Sequence, residues 1–362
     1  MNFYRKGIKG FKGKNDCLLI LLLFFLLILC GCSRGFLSVS SELSICKTKT
    51  TFTNPIIPAP SCDPWMIYHK GLYYYCYSTG HSIYISKTRH LTEIAKAKPV
   101  MTWSAYSRGS WTDNVWAPEL HFIKGKWYIY FTADDGKNEN HRMWVLESKT
   151  GNPLGAYIEK GQLDTQGWAI DGTVLEKDDG NLYFIWSGWA DEIDEKQNIY
   201  IAPMKNPYTI SGPRVLIAIP DQSWEQKDHL ICEAPQALKN EGKIFIVYSA
   251  NASWTKDYCL GMLINRNGDV LNPDSWEKKG PVFEKTDKVW GVGHCCFVKS
   301  PNMKEDWIIY HSKSKEEDGW DDRNVYAQPF KWDTNGFPDF GSPIPPDVPL
   351  SIPSEKRENV FL

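Results

Sequence analysis

The chain is predicted to fold as an all-β, five-bladed propeller, and three observations carry that reading. First, an aromatic-rich strand ending in Ser or Thr recurs five times, at 72–78, 127–132, 182–187, 244–249 and 307–312. Second, the endpoints at 78, 132, 187, 249 and 312 lie 54, 55, 62 and 63 residues apart, about four strands' worth of chain per repeat. Third, stepping back 15 to 18 residues from each endpoint reaches Asp63, Ala117, Asp171, Glu233 and His294. In a propeller the innermost strands surround one axis, so residues at equivalent inner positions converge. Three carboxylates and a histidine are therefore expected at a single central site.

Taken in order, each repeat has its own local logic. In the first, Pro64 after Asp63 fixes the backbone and removes a donor, which suits the start of a strand. The second carries Trp116-Ala117-Pro118-Glu119-Leu120-His121 and no acid at the counted position. The third has Asp171-Gly172-Thr173, where Gly172 permits a close approach of backbone or ligand. The fourth has Glu233-Ala234-Pro235, and the fifth has Gly291-Val292-Gly293-His294 followed by Arg323. A lone carboxylate in an apolar context is ordinarily a turn residue or a structural acceptor. Three in register repel one another in a small cavity, which structural roles alone do not explain.

Clustered carboxylates suit glycosidic bond cleavage. One protonated acid gives its proton to the leaving oxygen, and one carboxylate activates water. A third can hold up the acid's pKa and orient it. Reach favours Glu233 as acid and leaves Asp63 as base, although chemistry alone does not settle the assignment.

These motifs, in this order and spacing, resemble the family 43 glycoside hydrolases, five-bladed propeller enzymes acting on arabinose- and xylose-containing polysaccharides. The resemblance runs from Asn54-Pro55-Ile56 to Asp339-Phe340-Gly341. It is finest toward single-domain, exo-acting α-L-arabinofuranosidases, with Asn206-Pro207-Tyr208-Thr209 and Asn272-Pro273-Asp274-Ser275-Trp276 contributing. It implies Asp63 as general base, Glu233 as general acid and Asp171 as the group that tunes and positions the acid. It implies inversion, with the base and acid roughly 6.5–9.5 Å apart. His294 would lie on the axis, where relatives hold a hydrated metal, often calcium. A single imidazole is a poor calcium ligand, so a structural His beside Asp63 is the other expectation. No cofactor is required for the chemistry itself. Arg323 would donate to sugar hydroxyls, or else pair with Asp321 or Asp322. The chain departs from many relatives at Ala234 (Gly there) and Cys295 (Asn there).

Among 16 Trp and 18 Tyr, most are expected to fill half-buried strands. Trp116 and Trp65 are the candidates for sugar contact, with Trp168 and Trp189 flanking the third repeat. Rival readings are a β-xylosidase, a β-galactofuranosidase or galactosidase, and, from another class, a glycan-binding lipoprotein without chemistry. A protein-interaction scaffold gives no reason for the acids.

Bulk properties frame this. Lys and Arg number 41 against 43 Asp and Glu, so the net charge of −2 argues against a nucleic-acid partner. Residues 1–32 read as a lipoprotein-type signal: basic residues from Arg5 to Lys14, an apolar run at 18–29, then Leu29-Cys30-Gly31-Cys32. Cys32 is the expected lipidation site, with Cys30, a plain cleaved signal or a membrane anchor as alternatives. Residues 33–53 are expected to be a flexible tether, 54–353 the catalytic domain and 354–362 a tail. The partners expected are an arabinose-containing polysaccharide or oligosaccharide and a membrane reached through the lipid anchor. The protein is expected to be a monomer in the cell envelope. Seven Cys follow Cys32, none with C-x-x-C spacing, and Cys62, Cys232 and Cys295 read as small packing residues.

Overall fold

Five sheets of antiparallel strands succeed one another along the chain. The computed structural model describes residues 50–191 and 196–355. Blade I comprises Trp65–His69, Leu72–Ser78, Ser82–Thr88 and Val100–Ser104. Blade II comprises Asp113–Ile123, Lys126–Asp134, Arg142–Ser148 and Tyr157–Gln162. Blade III has Ala169–Glu176, Leu182–Trp189, Gln197–Asn206 and Thr209–Ile210, with Val215–Ala218 also paired to its third strand. Blade IV has Cys232–Asn240, Lys243–Ala250, Cys259–Asn265 and Trp276–Phe283, and blade V has Trp290–Lys299, Asp306–Lys313, Arg323–Trp332 and Pro338–Asp339. Every expected aromatic strand is the second strand of a blade. The five-bladed, all-β expectation holds.

The apolar faces explain why the blades close into a ring. Five aliphatic and aromatic clusters each span two neighbouring blades: I with II, II with III, III with IV, IV with V, and V with I. Trp127, Trp186 and Trp307 are at most 1% exposed within them. Burying one such side chain is worth about 1.5–3 kcal/mol or more.

The Ser or Thr ending each aromatic strand mostly stitches its blade to the next. Ser78 donates to the Val115 carbonyl and Ser187 to the Cys232 carbonyl. Thr132 accepts from the Asp171 N–H and Ser249 from the His294 N–H. Ser312 instead donates to Trp290 of its own blade.

The N-terminal segment closes the circle against blade V. Asn54 donates to the Ala327 carbonyl at 3.0 Å and accepts its N–H at 2.9 Å, while Ile56 and Ile57 bond Val325. The expected tether therefore ends earlier than residue 53. Thr51–Phe52 pair with Leu350–Ser351, and Phe52 is buried against Trp307. The signal, Cys32 and most of the tether lie outside the described residues, as does most of the 354–362 tail. Among the described residues no helix is long and apolar enough to cross a membrane.

Candidate active site

The inner strands turn their residues inward through a shared backbone device. Asp63, Ala117, Asp171, Ala234 and His294 all have positive φ, between 43° and 54°. In blades II to V this residue lies in a stretch where the strand register shifts. A bulge re-aims side chains, and a left-handed non-glycine residue is costly, so both mark a functional rim. The expected register of three carboxylates is corrected by one residue. Ala234, not Glu233, holds the equivalent position in blade IV. Glu233 pairs with Ser249 as Trp116 pairs with Thr132, so Glu233 and Trp116 are counterparts.

Asp63 is the most exposed of the three acids, its side chain 22% accessible. Its Oδ1 faces His294 Nδ1 at 3.3 Å, His311 Nδ1 at 3.4 Å and Arg323 Nη1 at 3.4 Å. Burial pushes the carboxyl up, but His294, Arg323 and His311 outweigh it and hold it well below the usual carboxylate range. Arg323 is the partner that keeps its charge at any relevant pH. His311 Nδ1 also accepts the Asp63 N–H, and burial pulls this imidazole down to about 4.

Glu233 is buried and accepts a 2.8 Å hydrogen bond from the Tyr258 hydroxyl. Burial raises it to about 7; Tyr258 and Arg323 pull it down, and the Asp63 charge pushes it up. Asp171 is equally buried, and its Oδ2 accepts from the Ala234 N–H at 3.2 Å, bracing the peptide next to Glu233. Burial, then the charges of Glu233, Asp63 and Glu119, push Asp171 well above the carboxylate range. The three acids thus sit in one electrostatic unit, with one held ionised and two pushed toward protonation. Such an arrangement can serve as an acid–base pair with a modulator.

Glu119 of blade II, whose charge also acts on Asp171, accepts from the Gln236 amide of blade IV and lies 2.8 Å from His121. This bond joins two blades that are not neighbours in the ring, so it crosses the axis. Trp65 is half-buried; its indole donates to Leu120 and stacks on His121, so the structure groups it with packing rather than with the acids. Trp116 is 38% exposed and packs on His141, consistent with a cleft wall. Trp168 and Trp189 are buried and stack on each other. Arg323 does not pair with Asp322, which is taken by Lys313.

The donor set around His294 does not fit a calcium ion bound by protein ligands. His294 turns Nδ1 to Asp63, and Glu119 is committed to His121 and Gln236. Among the described residues no three His, Cys, Asp or Glu side chains are grouped for a metal, whereas calcium takes six to eight oxygens. That excludes direct ligation by protein groups and leaves the hydrated, water-mediated ion expected at His294 untouched; the contact the geometry gives is His294 Nδ1 at 3.3 Å from Asp63 Oδ1. The six described cysteines are unpaired; Cys232 and Cys295 are buried, whereas Cys62 is partly exposed beside Asp63.

Two residues here escaped the sequence reading. His311 carried a signal: it precedes Ser312 where the other four strands have Tyr77, Phe131, Trp186 and Tyr248. Tyr258 carried none, being one tyrosine among 18.

A ring of five blades with an acidic centre of this kind defines a class of carbohydrate-cleaving propellers. The chain belongs to the glycosyl hydrolases family 43, whose family model matches residues 52–338. It is 35% identical over 81% of its length to an extracellular exo-α-(1→5)-L-arabinofuranosidase of Streptomyces avermitilis, covering 64% of that protein. A protein of the same name from Streptomyces chartreusis is 32% identical over 74% of this chain and 84% of its own. The α-L-arabinofuranosidase from Lactobacillus brevis superposes with a TM-score of 0.77 at 34% identity, over 82% of this chain and 98% of that one. The chain spans 64% and 63% of two curated relatives it matches, the second an α-L-arabinofuranosidase 43 from Humicola insolens.

Proposed function

We propose that this protein is an exo-acting α-L-arabinofuranosidase, removing terminal arabinofuranosyl residues from plant polysaccharides or arabino-oligosaccharides with inversion. One observation carries the reading: Asp63, facing Arg323 and two imidazoles, and Glu233, buried against Tyr258, feel each other's charge and are pushed in opposite directions from the usual carboxylate range. The sugar is suggested by relatives whose names specify arabinofuranosidase activity.

In this mechanism Asp63 takes a proton from a water that attacks the anomeric carbon. Glu233 gives its proton to the glycosidic oxygen as that bond breaks, and the alcohol departs. Asp63 ends protonated and Glu233 ionised, and exchange with solvent resets both. Asp171 holds the Ala234 amide and so braces the peptide that follows the acid. Arg323 keeps Asp63 ionised and directs its remaining N–H groups toward sugar hydroxyls. Trp116 walls the cleft. Export through a lipidated Cys32 is the accompanying proposal; loss of membrane partitioning in Cys32→Ala would support it, and unchanged partitioning would oppose it.

The test of the activity is turnover of nitrophenyl α-L-arabinofuranoside, β-D-xyloside and β-D-galactofuranoside, with Asp63→Asn as control. Arabinofuranoside cleavage that disappears in the control is expected. Preference for another glycoside, or silence from well-folded protein, would contradict the proposal.

A further inference from the structure

An aromatic ledge adjoins the acids, and the two-carboxylate chemistry leaves it unused. Trp320 is 53% exposed, and its ring packs on Trp254 with centroids 4.5 Å apart. Trp254 in turn meets His229 edge-on at 5.0 Å. The ledge is continuous with the site. The Arg323 guanidinium lies 5.0 Å from the Trp320 ring centre, its Nε donates to the Trp320 carbonyl at 3.1 Å, and its Nη1 reaches Asp63. A single guanidinium separates the ring from the proposed base.

The loop that displays Trp320 is built, not loose. Lys313, 1% exposed, donates to the Gly319 carbonyl at 2.8 Å and to Asp322 at 2.5 Å. The Gly319 N–H donates to the Trp254 carbonyl at 2.9 Å. A ring held in place before binding has little freedom left to lose.

Position along the substrate follows from the acid. Trp254 lies four residues before Tyr258, the donor to Glu233, and His229 lies four residues before Glu233 itself. Both segments flank the group that protonates the leaving oxygen. The ledge therefore lies at the end of blade IV that carries Glu233, where the 251–258 connection bonds Asp228.

We propose that Trp320, backed by Trp254, is a stacking platform for the sugar ring on the leaving-group side of the scissile bond. Its ligand is the second arabinofuranosyl ring of an α-linked oligosaccharide, whose C–H face suits an aromatic face. The inference rests on the arabinofuranosidase reading above.

The experiment compares the wild type, Trp320→Ala and Trp320→Phe on two substrates. Arabinotriose has rings beyond the scissile bond; α-L-arabinofuranosyl fluoride has none. Trp320→Ala should lose about three- to tenfold in kcat/KM on arabinotriose and be unchanged on the fluoride. Trp320→Phe should recover most of the loss. Equal losses on both substrates would overturn the platform, because Trp320 would then act through Arg323. No loss on either would also overturn it. A wild type inactive on both would contradict the arabinofuranosidase reading itself and remove the arabinosyl assignment with it.

Discussion

At Asp63 and Glu233 the same functional group is set to opposite tasks by neighbours within 3.5 Å. Asp63 meets two imidazoles and a guanidinium, whereas Glu233 meets burial and one phenol. The pH dependence follows with a definite sign. As pH rises through about 7, Glu233 loses the proton that the leaving oxygen needs. The kcat/KM for an arabino-oligosaccharide should therefore fall on an alkaline limb near 7. The acidic limb should lie below the usual carboxylate range, because Asp63 stays ionised there. A pH–rate profile checks both limbs. Tyr258→Phe removes a donor that favours the ionised form of Glu233. Its alkaline limb should move to higher pH, with kcat on the acidic side kept within about tenfold. An unmoved limb would mean that Tyr258 does not set the acid.

At the scale of the strand, the bulge decides where each acid points. Gly293 lies in the register-shifted stretch of blade V, and a Cβ there would stand 2.2 Å from the Tyr258 ring. Gly293→Ala should cost about 1–3 kcal/mol in chemical denaturation, as overpacking does. It should also move the alkaline limb in the direction of Tyr258→Phe, because the same phenol is displaced. The strands themselves were legible, since aromatic alternation and a closing Ser or Thr are written in adjacent residues. The one-residue offset of Glu233 was missed although a signal existed: Ala117-Pro118 and Ala234-Pro235 are the same dipeptide and Asp63 also precedes a Pro, so aligning on that Pro places Ala234 at the left-handed position. Asp171-Gly172 and His294-Cys295 lack the Pro, and counting from the strand ends sees spacing but not register.

At the scale of the ring, five interfaces between five blades leave no open seam. Blade number was legible because the period is a property of chain length. The closure was not, because Asn54 and Ala327 are 273 residues apart and neither is unusual locally. The same distance problem hid the Glu119–Gln236 bond, although Glu119 stood inside a quoted motif. Asn54→Ala would leave an N–H and a carbonyl of Ala327 buried without partners. A loss of about 2 kcal/mol or more in unfolding free energy is expected, with catalytic parameters of the folded fraction little changed. A neutral effect would place the closure in the Thr51–Phe52 pairing and the apolar contacts instead.

The assignment of acid and base is tested most directly by leaving-group dependence. Glu233→Gln and Asp63→Asn would each be assayed on an arabino-oligosaccharide and on α-L-arabinofuranosyl fluoride, whose departing fluoride needs little help from an acid. Both variants should lose about 10²- to 10⁴-fold on the oligosaccharide. On the fluoride, Glu233→Gln should recover most of its rate while Asp63→Asn stays impaired. Equal losses by Glu233→Gln on both substrates would contradict the account.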